Sequence, residues 1–283
     1  VLLVSSSGTA PANYFPAIIE ASYNRTPIII LSADRPNYLI NTGANQTIQQ
    51  KNLYGDYVRT FIDIGLPVQK TESLSKKLLN AYSLSLGLES KLPPGPVHLN
   101  FPFDEPLISE KIYTPNFNIK CNIPIQKKIS NSLQVLPQSS KVLIVIGTME
   151  NNSSQVEIIQ LAEKINSPIF ADPLSQIRYG YDSTLLCAHY DLYLRYIQLN
   201  PDLVIRFGRK PNSKILSQLL TKWNSNIIQI DDWEQYNDDC PKFIQSSISK
   251  YCTYQLKHIK WESNADWTDS ILLVDQKIKK SIE

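Results

Sequence analysis

The stretch PIIILSADRP, residues 27–36, decides the fold class. Four consecutive apolar residues, Ile28 to Leu31, are followed at once by a serine, an alanine, an acid, an arginine and a proline. A continuous apolar run is typical of a strand that is buried on both faces of a parallel sheet. The polar residues after it then lie at the carboxyl edge of the sheet, where open α/β sheets bind their ligands. We therefore predict a ligand site around Arg35.

Apolar strands alternate with amphipathic helices over both halves of the chain. The segments VLLVSSS (1–7) and KVLIVIG (141–147) each begin such an alternation. This rhythm predicts an α/β fold with two Rossmann-like, parallel-sheet domains, 1–107 and 140–283, the second ending in an irregular tail with one or two surface helices. Residues 108–139 are polar and interrupted by prolines, which is typical of a linker.

Two shorter elements are also predicted from local composition. FIDIGLPV, residues 61–68, is rich in apolar and β-branched residues, which favours a strand. DLYLRYIQLN, residues 191–200, has apolar residues at helical spacing, which favours a helix.

The bulk composition limits the classes of partner. The 283 residues are 42% hydrophobic and 19% charged, and the net charge of +2 argues against nucleic acid and against a membrane surface as partners. The four cysteines have no short spacing, because the closest pair, Cys240 and Cys252, is twelve residues apart. Reduced, buried thiols are therefore favoured over disulfides or a metal site. Because Val1 already lies in a strand-like run, we expect a fragment of a longer protein.

Three motifs in the first half combine a turn with polar side chains. SSSGTAPAN (5–13) joins a strand to a helix, and is either a tight turn capped by Ser7 or Thr9 or a turn that binds a ligand at a helix N-terminus. Arg35 either binds a carboxylate or pairs with an acid such as Asp34. Gln46, at the end of GANQ (43–46), offers a ligand both a donor and an acceptor, or bonds the backbone of its loop.

The second half carries one basic motif, FGRKPNSK (207–214). Four cations lie within nine residues: Arg206, Arg209, Lys210 and Lys214. They form either a solvated basic face or an anion site, and Ser175, Gln176 and Arg178 follow another strand and could face the same cleft. His98 lies on an apolar strand, where a core histidine is the favoured interpretation.

The order and spacing of these motifs resemble those of thiamine-diphosphate-dependent enzymes. The segments SSGTAPANYFPAIIEA, ILSADRP, GANQTIQQ, GPVHLNFPFDEPL and FGRKPNSK together most resemble the SEPHCHC (2-succinyl-5-enolpyruvyl-6-hydroxy-3-cyclohexene-1-carboxylate) synthases, the MenD family of menaquinone and phylloquinone synthesis. The resemblance covers nearly the whole chain and is strongest over 1–107. The T-A-x-A-N, A-D-R-P and G-A-x-Q elements distinguish the chain from acetolactate synthases.

The resemblance implies an enzyme that decarboxylates 2-oxoglutarate and adds the resulting succinyl semialdehyde carbanion to isochorismate. It implies thiamine diphosphate and Mg²⁺ as cofactors, a homodimer or homotetramer when intact, and the bacterial cytoplasm or the plastid stroma as location. The family's Mg²⁺ and diphosphate motif has no match here, and Glu20 does not match the glutamate that activates the cofactor. We therefore expect the start of the first domain and the whole third domain to lie outside this chain, which alone is expected to be inactive.

The family's functional residues match this chain position by position. Arg35 matches an arginine that binds substrate, and Lys214 matches a lysine that binds isochorismate. Gln46 matches a glutamine that reaches the complex of cofactor and substrate, so it is both a catalytic and a substrate-binding candidate. The residues that match the turn beside the cofactor's pyrimidine are Ser7, Gly8, Thr9 and Asn13. No residue is predicted to bind the metal, and Ile215 stands where the family sometimes has an arginine.

Two other functions stay open at the level of sequence. One is a thiamine-diphosphate lyase that resembles acetolactate synthase, and the other is an α/β module without catalytic activity. Anion chemistry separates the first from a SEPHCHC synthase, because an enzyme that acts on pyruvate has no need of Lys214 together with Arg35.

Overall fold

A computed structural model describes residues 1–67, 71–88, 92–108, 133–149, 154–233 and 237–282 of the chain. It divides into two compact units, Val1–Lys128 and Ile129–Glu283, and each unit is described by itself. Most of the predicted linker, 108–139, lies outside the described residues, so the predicted boundaries at 107 and 140 stay predictions.

The first unit is built around a four-stranded parallel sheet. Its elements are β1 (Leu2–Ser5), α1 (Thr9–Ala12), α2 (Phe15–Tyr23), β2 (Ile28–Asp34), β3 (Phe61–Asp63), α3 (Thr71–Ser85) and β4 (Pro96–Pro102). The strand order is β1-β2-β4-β3, and all pairings are parallel. The central strands of the sheet are β2 and β4, and an apolar cluster packs on each of the two faces of the sheet.

The face of β2 that carries its even-numbered residues changes from apolar to polar along the strand. Ile28 and Ile30 pack in one cluster with Ile18 of α2 and with Tyr54. Further along the same face, Ser32 is fully buried and Asp34 is 8% exposed. Because side chains alternate across a strand, the carboxyl end of this face is a buried polar surface above an apolar core.

The second unit is built around a six-stranded parallel sheet. Its elements are β5 (Val142–Ile146), α4 (Gln155–Ile165), β6 (Ile169–Ala171), β7 (Leu186–Cys187), α5 (Tyr190–Tyr193), β8 (Leu203–Phe207), α6 (Lys214–Lys222), β9 (Ile227–Asp231), β10 (Phe243–Gln245), α7 (Ile248–His258) and α8 (Ala265–Ile282). The strand order is β10-β9-β8-β5-β6-β7. The two parallel sheets confirm the predicted α/β class.

Some elements differ from those predicted. The strand predicted over 61–68 ends at Asp63, because Gly65 adopts a φ of 81° and Pro67 cannot donate to a ladder. The helix predicted over 191–200 spans only Tyr190–Tyr193. After Tyr193 the backbone is not helical, and Leu194 and Leu199 are buried in the core. Tertiary packing therefore overrides the local helix propensity.

The tail that was expected to be irregular, with one or two surface helices, carries α7 and α8. Each of them has a buried side: Tyr251 and Cys252 of α7 join one core cluster, and Ile271 of α8 joins another. Among the helices that the structure describes, none has the length and apolar character needed to cross a bilayer.

Three of the four cysteines, Cys187, Cys240 and Cys252, are buried free thiols, and Cys121 lies outside the described residues. The prediction of reduced thiols therefore holds for those three.

Candidate functional site

The turn after β1 depends on glycine at position 8. Gly8 adopts a φ of 78° and a ψ of −134°, a conformation that residues with a side chain rarely reach. A Cβ at this position would lie 2.9 Å from Gln46 Cγ and 3.0 Å from the Gln46 carbonyl oxygen. The turn therefore needs glycine for its backbone conformation and for the close approach of Gln46.

Hydrogen bonds join this turn to the GANQ loop. The Ser7 hydroxyl donates to the Gln46 carbonyl oxygen at 3.0 Å, and Gln46 Nε2 donates to Ser6 Oγ and to the Ser7 carbonyl oxygen, both at 3.1 Å. Gln46 has a positive φ of 58°, which turns its backbone towards Ser7. The structure therefore brings Ser7, Gly8 and Gln46 together. Among the described residues no group donates to Gln46 Oε1, so this exposed oxygen can accept from a ligand.

The other two residues of the predicted cofactor turn lie on the surface of α1. Thr9 is the first residue of this short helix, and Asn13 is its C-cap. Both are exposed, and Asn13 Nδ2 donates to the Thr9 carbonyl oxygen at 3.3 Å, within the same helical turn. Their place beside the cofactor stays a prediction.

Arg35 follows β2 directly, with its backbone fixed and its side chain available. Asp34 Oδ1 accepts from the Arg35 backbone N–H at 2.7 Å, while Asp34 Oδ2 accepts from Asn100 Nδ2 at 2.7 Å. These donors, rather than the guanidinium, hold the Asp34 carboxylate, so the alternative of an Arg35–Asp34 ion pair is wrong. Within the described ranges the guanidinium makes no ion pair or hydrogen bond, and it is half-buried.

A buried glutamine links the turn to the end of β2. Gln50 is fully buried, and its Oε1 accepts from the Gly8 backbone N–H at 2.8 Å. Its Nε2 donates to the Ala33 carbonyl oxygen at 3.0 Å and to Asn100 Oδ1 at 2.9 Å. Both donors and the acceptor of this amide are thus satisfied, as burial requires. Gly8 and Arg35 are therefore connected through Gln50, Asn100 and Asp34.

The polar network ends at a neutral histidine. Ser32 donates to Asn100 Oδ1 at 2.8 Å, so its oxygen accepts from His98 Nε2 at 2.7 Å, which sets the tautomer. His98 is fully buried between the rings of Tyr54 and Phe61, and this burial lowers its pKa to about 4. A histidine in this position is a core residue, as the sequence favours.

Lys214 is the first residue of α6 in the second unit. Ser213 caps this helix by accepting from the Leu216 backbone N–H at 3.1 Å, and its hydroxyl also bonds the Asp191 carboxylate. Lys214 is exposed. A cation at a helix N-terminus is disfavoured by the helix dipole, by about 0.3–1 kcal/mol. Helix stability therefore does not account for a lysine at this position.

The cations around Lys214 do not form one solvated cluster. Arg206 is 2% exposed and pairs with Asp238 at 2.5 Å, so its charge is neutralised inside the unit. Lys210 Nζ lies 3.9 Å from an exposed carboxylate oxygen of Asp239. The interpretation of Arg206 as part of an anion site is therefore wrong.

The loop after β6 has its own internal partners. Arg178 Nε donates to the Ala171 carbonyl oxygen at 2.7 Å, and its guanidinium lies 5.8 Å from the centroid of the Tyr190 ring. Ser175 is fully buried, and Gln176 adopts a left-handed conformation with φ 61°. Ser175 therefore cannot face an open cleft, and Arg178 serves to close its loop.

Comparison with known proteins identifies the family, although no family model matches the chain. The chain is 33% identical to 2-succinyl-5-enolpyruvyl-6-hydroxy-3-cyclohexene-1-carboxylate synthase of Bacillus cytotoxicus, in an alignment that covers 100% of the chain and 52% of the relative. The chain belongs to this synthase family. The synthase of Geobacillus kaustophilus is 34% identical over 93% of the chain, and that of Bacillus velezensis is 38% identical over 76%. The chain spans about half the length of these SEPHCHC synthases.

Sequence reasoning did not single out Gln50 and Asn100. A usable signal was present for Asn100, because His98 and Asn100 are two polar residues at alternate positions of an otherwise apolar strand, as are Ser32 and Asp34 in β2. The paired strands place Ser32 opposite Asn100. Gln50 carries no such signal, because it lies in an irregular segment whose burial depends on the tertiary fold.

Proposed function

We propose that this chain forms part of a SEPHCHC synthase, which decarboxylates 2-oxoglutarate with thiamine diphosphate and Mg²⁺ and adds the succinyl semialdehyde unit to isochorismate. The proposed enzyme forms SEPHCHC, an intermediate in the biosynthesis of menaquinone or phylloquinone. One observation carries the proposal: the Ser7–Gly8 turn is hydrogen-bonded to Gln46 on one side and is joined by a buried network to the strand end at Arg35 on the other. The similarity to SEPHCHC synthases along the whole chain supports it.

The described residues fit one end of the cofactor. The loop held against the turn offers the free Oε1 of Gln46, an acceptor that suits a hydrogen-bond donor on the neutral pyrimidine of thiamine diphosphate. Among the described residues no group of three or more His, Cys, Asp or Glu side chains is placed to hold a metal ion. On this proposal the Mg²⁺ and the diphosphate are held by residues other than those described. When bound, the cofactor supplies the electron sink for decarboxylation.

The side chains of this chain bind and orient the substrates. The half-buried guanidinium of Arg35 presents two parallel N–H donors, which match the geometry of a substrate carboxylate. Gln46 Oε1 accepts from an N–H or O–H of the bound ligands, while its Nε2 stays on Ser6 and Ser7 and holds the amide in place. Lys214 binds a carboxylate of isochorismate. Both substrates are dianions, so each cation that binds a carboxylate lowers the electrostatic repulsion between the two substrates when they are brought together.

The intact enzyme is proposed to be a homodimer or a homotetramer, located in the bacterial cytoplasm or the plastid stroma. No observation on the described residues favours the acetolactate-synthase-like alternative. The other alternative, an α/β module without catalytic activity, predicts that the hybrid enzymes described next form no SEPHCHC.

A hybrid enzyme tests the proposed function. In the synthase of Bacillus cytotoxicus, the segment that matches this chain is replaced by residues 1–283, and a second hybrid exchanges only the part that matches Val1–Lys128. Both are assayed with 2-oxoglutarate, isochorismate, thiamine diphosphate and Mg²⁺, with product identified by mass spectrometry. We expect SEPHCHC from the hybrids and none from the 283-residue chain alone. Folded hybrids that bind the cofactor but form no SEPHCHC would overturn the proposal.

A further inference from the structure

The buried amide of Gln50 hydrogen-bonds both the turn at Gly8 and the backbone next to Asp34. Its Oε1 accepts from the Gly8 N–H at 2.8 Å, and its Nε2 donates to the Ala33 carbonyl oxygen at 3.0 Å. Ala33 lies two residues before Arg35, and Gly8 lies against Gln46. The amide therefore spans the space between the two predicted ligand-binding segments of the first unit.

A second path runs from the same amide to Arg35 itself. Gln50 Nε2 also donates to Asn100 Oδ1 at 2.9 Å, and Asn100 Nδ2 donates to Asp34 Oδ2 at 2.7 Å. The other oxygen of Asp34 accepts from the Arg35 backbone N–H at 2.7 Å. These contacts form an unbroken chain of hydrogen bonds in which Gln50 is fully buried and Asn100 is 3% exposed. In such an environment a lost partner leaves a buried polar group unsatisfied.

The chemistry of position 50 favours glutamine over other residues. The side chain must accept one hydrogen bond from a backbone N–H and donate two to oxygens, and only an amide does both in one planar group. A carboxylate in its place would keep an acceptor for Gly8 but would face two oxygens, those of Ala33 and Asn100. An apolar side chain of the same length would leave the Gly8 N–H without its acceptor.

We propose that Gln50 is a positioning residue, which fixes the Gly8 turn against the Arg35 end of β2. Its importance for catalysis rests on the proposed function, but its effect on the Gly8 amide does not. Gln50 acts through the residues it holds, because its own amide atoms are occupied by Gly8, Ala33 and Asn100.

Amide hydrogen exchange in the 283-residue chain, measured by NMR, tests this directly. In Gln50→Met the Gly8 amide loses its acceptor and is expected to exchange about tenfold faster or more, and the amide shift of Arg35 is expected to change. In Gln50→Glu the Gly8 amide keeps an acceptor, so its protection is retained while the Arg35 shift changes. Gln49→Met is the matched control, because this neighbouring glutamine is exposed and is expected to leave both signals unchanged.

Four exchange results would each overturn the proposal. A folded Gln50→Met chain whose Gly8 exchange stays within about twofold of the wild type would do so. An equal change in Gln49→Met would show that the effect belongs to the loop as a whole. Where Gln50→Met does not fold, Gln50→Glu decides, and loss of Gly8 protection in that variant counts against the proposal. Where neither folds, the wild-type chain decides, because an unprotected Gly8 amide is incompatible with the bond to Gln50.

Kinetics of the hybrid enzyme provide the second readout. Gln50→Glu is expected to lower kcat about tenfold while the KM for isochorismate stays within about twofold, since the substrate-binding cations are retained. A change in stability alone, with kcat unchanged, would leave Gln50 a structural residue and refute the positioning role. A hybrid without any SEPHCHC activity would count against the proposed function, whereas the exchange result on Gly8 stands by itself.

Discussion

Replacing Gly8 by alanine is expected to destabilise the first unit more than the same change at any open glycine turn. The positive φ of 78° costs a residue with a side chain about 1–3 kcal/mol. The new Cβ also meets the Gln46 carbonyl oxygen at 3.0 Å and its carbon at 3.1 Å, and these backbone atoms cannot swing away. Moving them weakens the Ser7–Gln46 hydrogen bond, worth about 1 kcal/mol. The expected total is about 2–4 kcal/mol.

Gly43 provides the matched control for this prediction. It has the same φ of 78°, but a Cβ there would meet nothing within 4 Å. Gly43→Ala is therefore expected to lose only the conformational part, about 1–2 kcal/mol. The difference between the two variants reports the contact between Gly8 and Gln46 together with the backbone cost of the ψ of −134° at Gly8.

Urea unfolding of the 283-residue chain measures both variants. Amide signals of the buried residues Val97 and Leu99 report the first unit. The second unit holds all four tryptophans, Trp223, Trp233, Trp261 and Trp267, so their fluorescence is an internal control that Gly8→Ala is expected to leave unchanged. Equal losses of stability in Gly8→Ala and Gly43→Ala would show that the close approach of Gln46 to Gly8 carries no energy, contrary to this prediction.

Three further predictions concern charge. In the hybrid enzyme, Arg35→Ala is expected to lose about 1.5–3 kcal/mol of charged hydrogen bonding, or about 10- to 150-fold in kcat/KM, and an unchanged kcat/KM for both substrates would exclude the role. Lys214→Ala is expected to raise the KM for isochorismate more than that for 2-oxoglutarate, and equal increases would contradict the assignment. Burial lowers the His98 pKa to about 4 from its ordinary 6.5, so between these pH values the unfolded chain binds a proton that the folded chain does not. The free energy of unfolding of the first unit is therefore expected to fall by about 3 kcal/mol as the pH falls from 6.5 to 4. Urea midpoints across this range measure the loss, and a His98→Gln chain with the same pH dependence would refute it.

The sequence was most informative where one local pattern determines the structure. The apolar run before Arg35 fixes a buried strand, and the strand end then places this side chain at the edge of the sheet. Gly8 lies in the predicted turn, where its φ of 78° and ψ of −134° favour glycine. Ser213 marks the start of α6 by a side-chain cap, which places Lys214 in the first turn.

The remaining features depend on contacts that no local pattern contains. Gln50 is buried only because the GANQ loop folds back onto Gly8, 42 positions earlier in the chain. Arg206 looked available in a basic motif, but strand β8 turns it inward onto Asp238, which lies 32 positions further along the chain. A helix predicted over 191–200 stops at Tyr193 because the following leucines enter the core.

Whether Arg35 and Gln46 serve one ligand site is decided by a crystal structure of the hybrid enzyme with thiamine diphosphate, Mg²⁺ and 2-oxoglutarate. We expect the Arg35 guanidinium to lie within hydrogen-bond distance, about 2.7–3.2 Å, of a carboxylate oxygen of the substrate. We also expect Gln46 Oε1 to accept from the bound ligands while Gln46 Nε2 stays on Ser6 and Ser7. Clear density for the ligands with both side chains directed away from them would rule out a shared site.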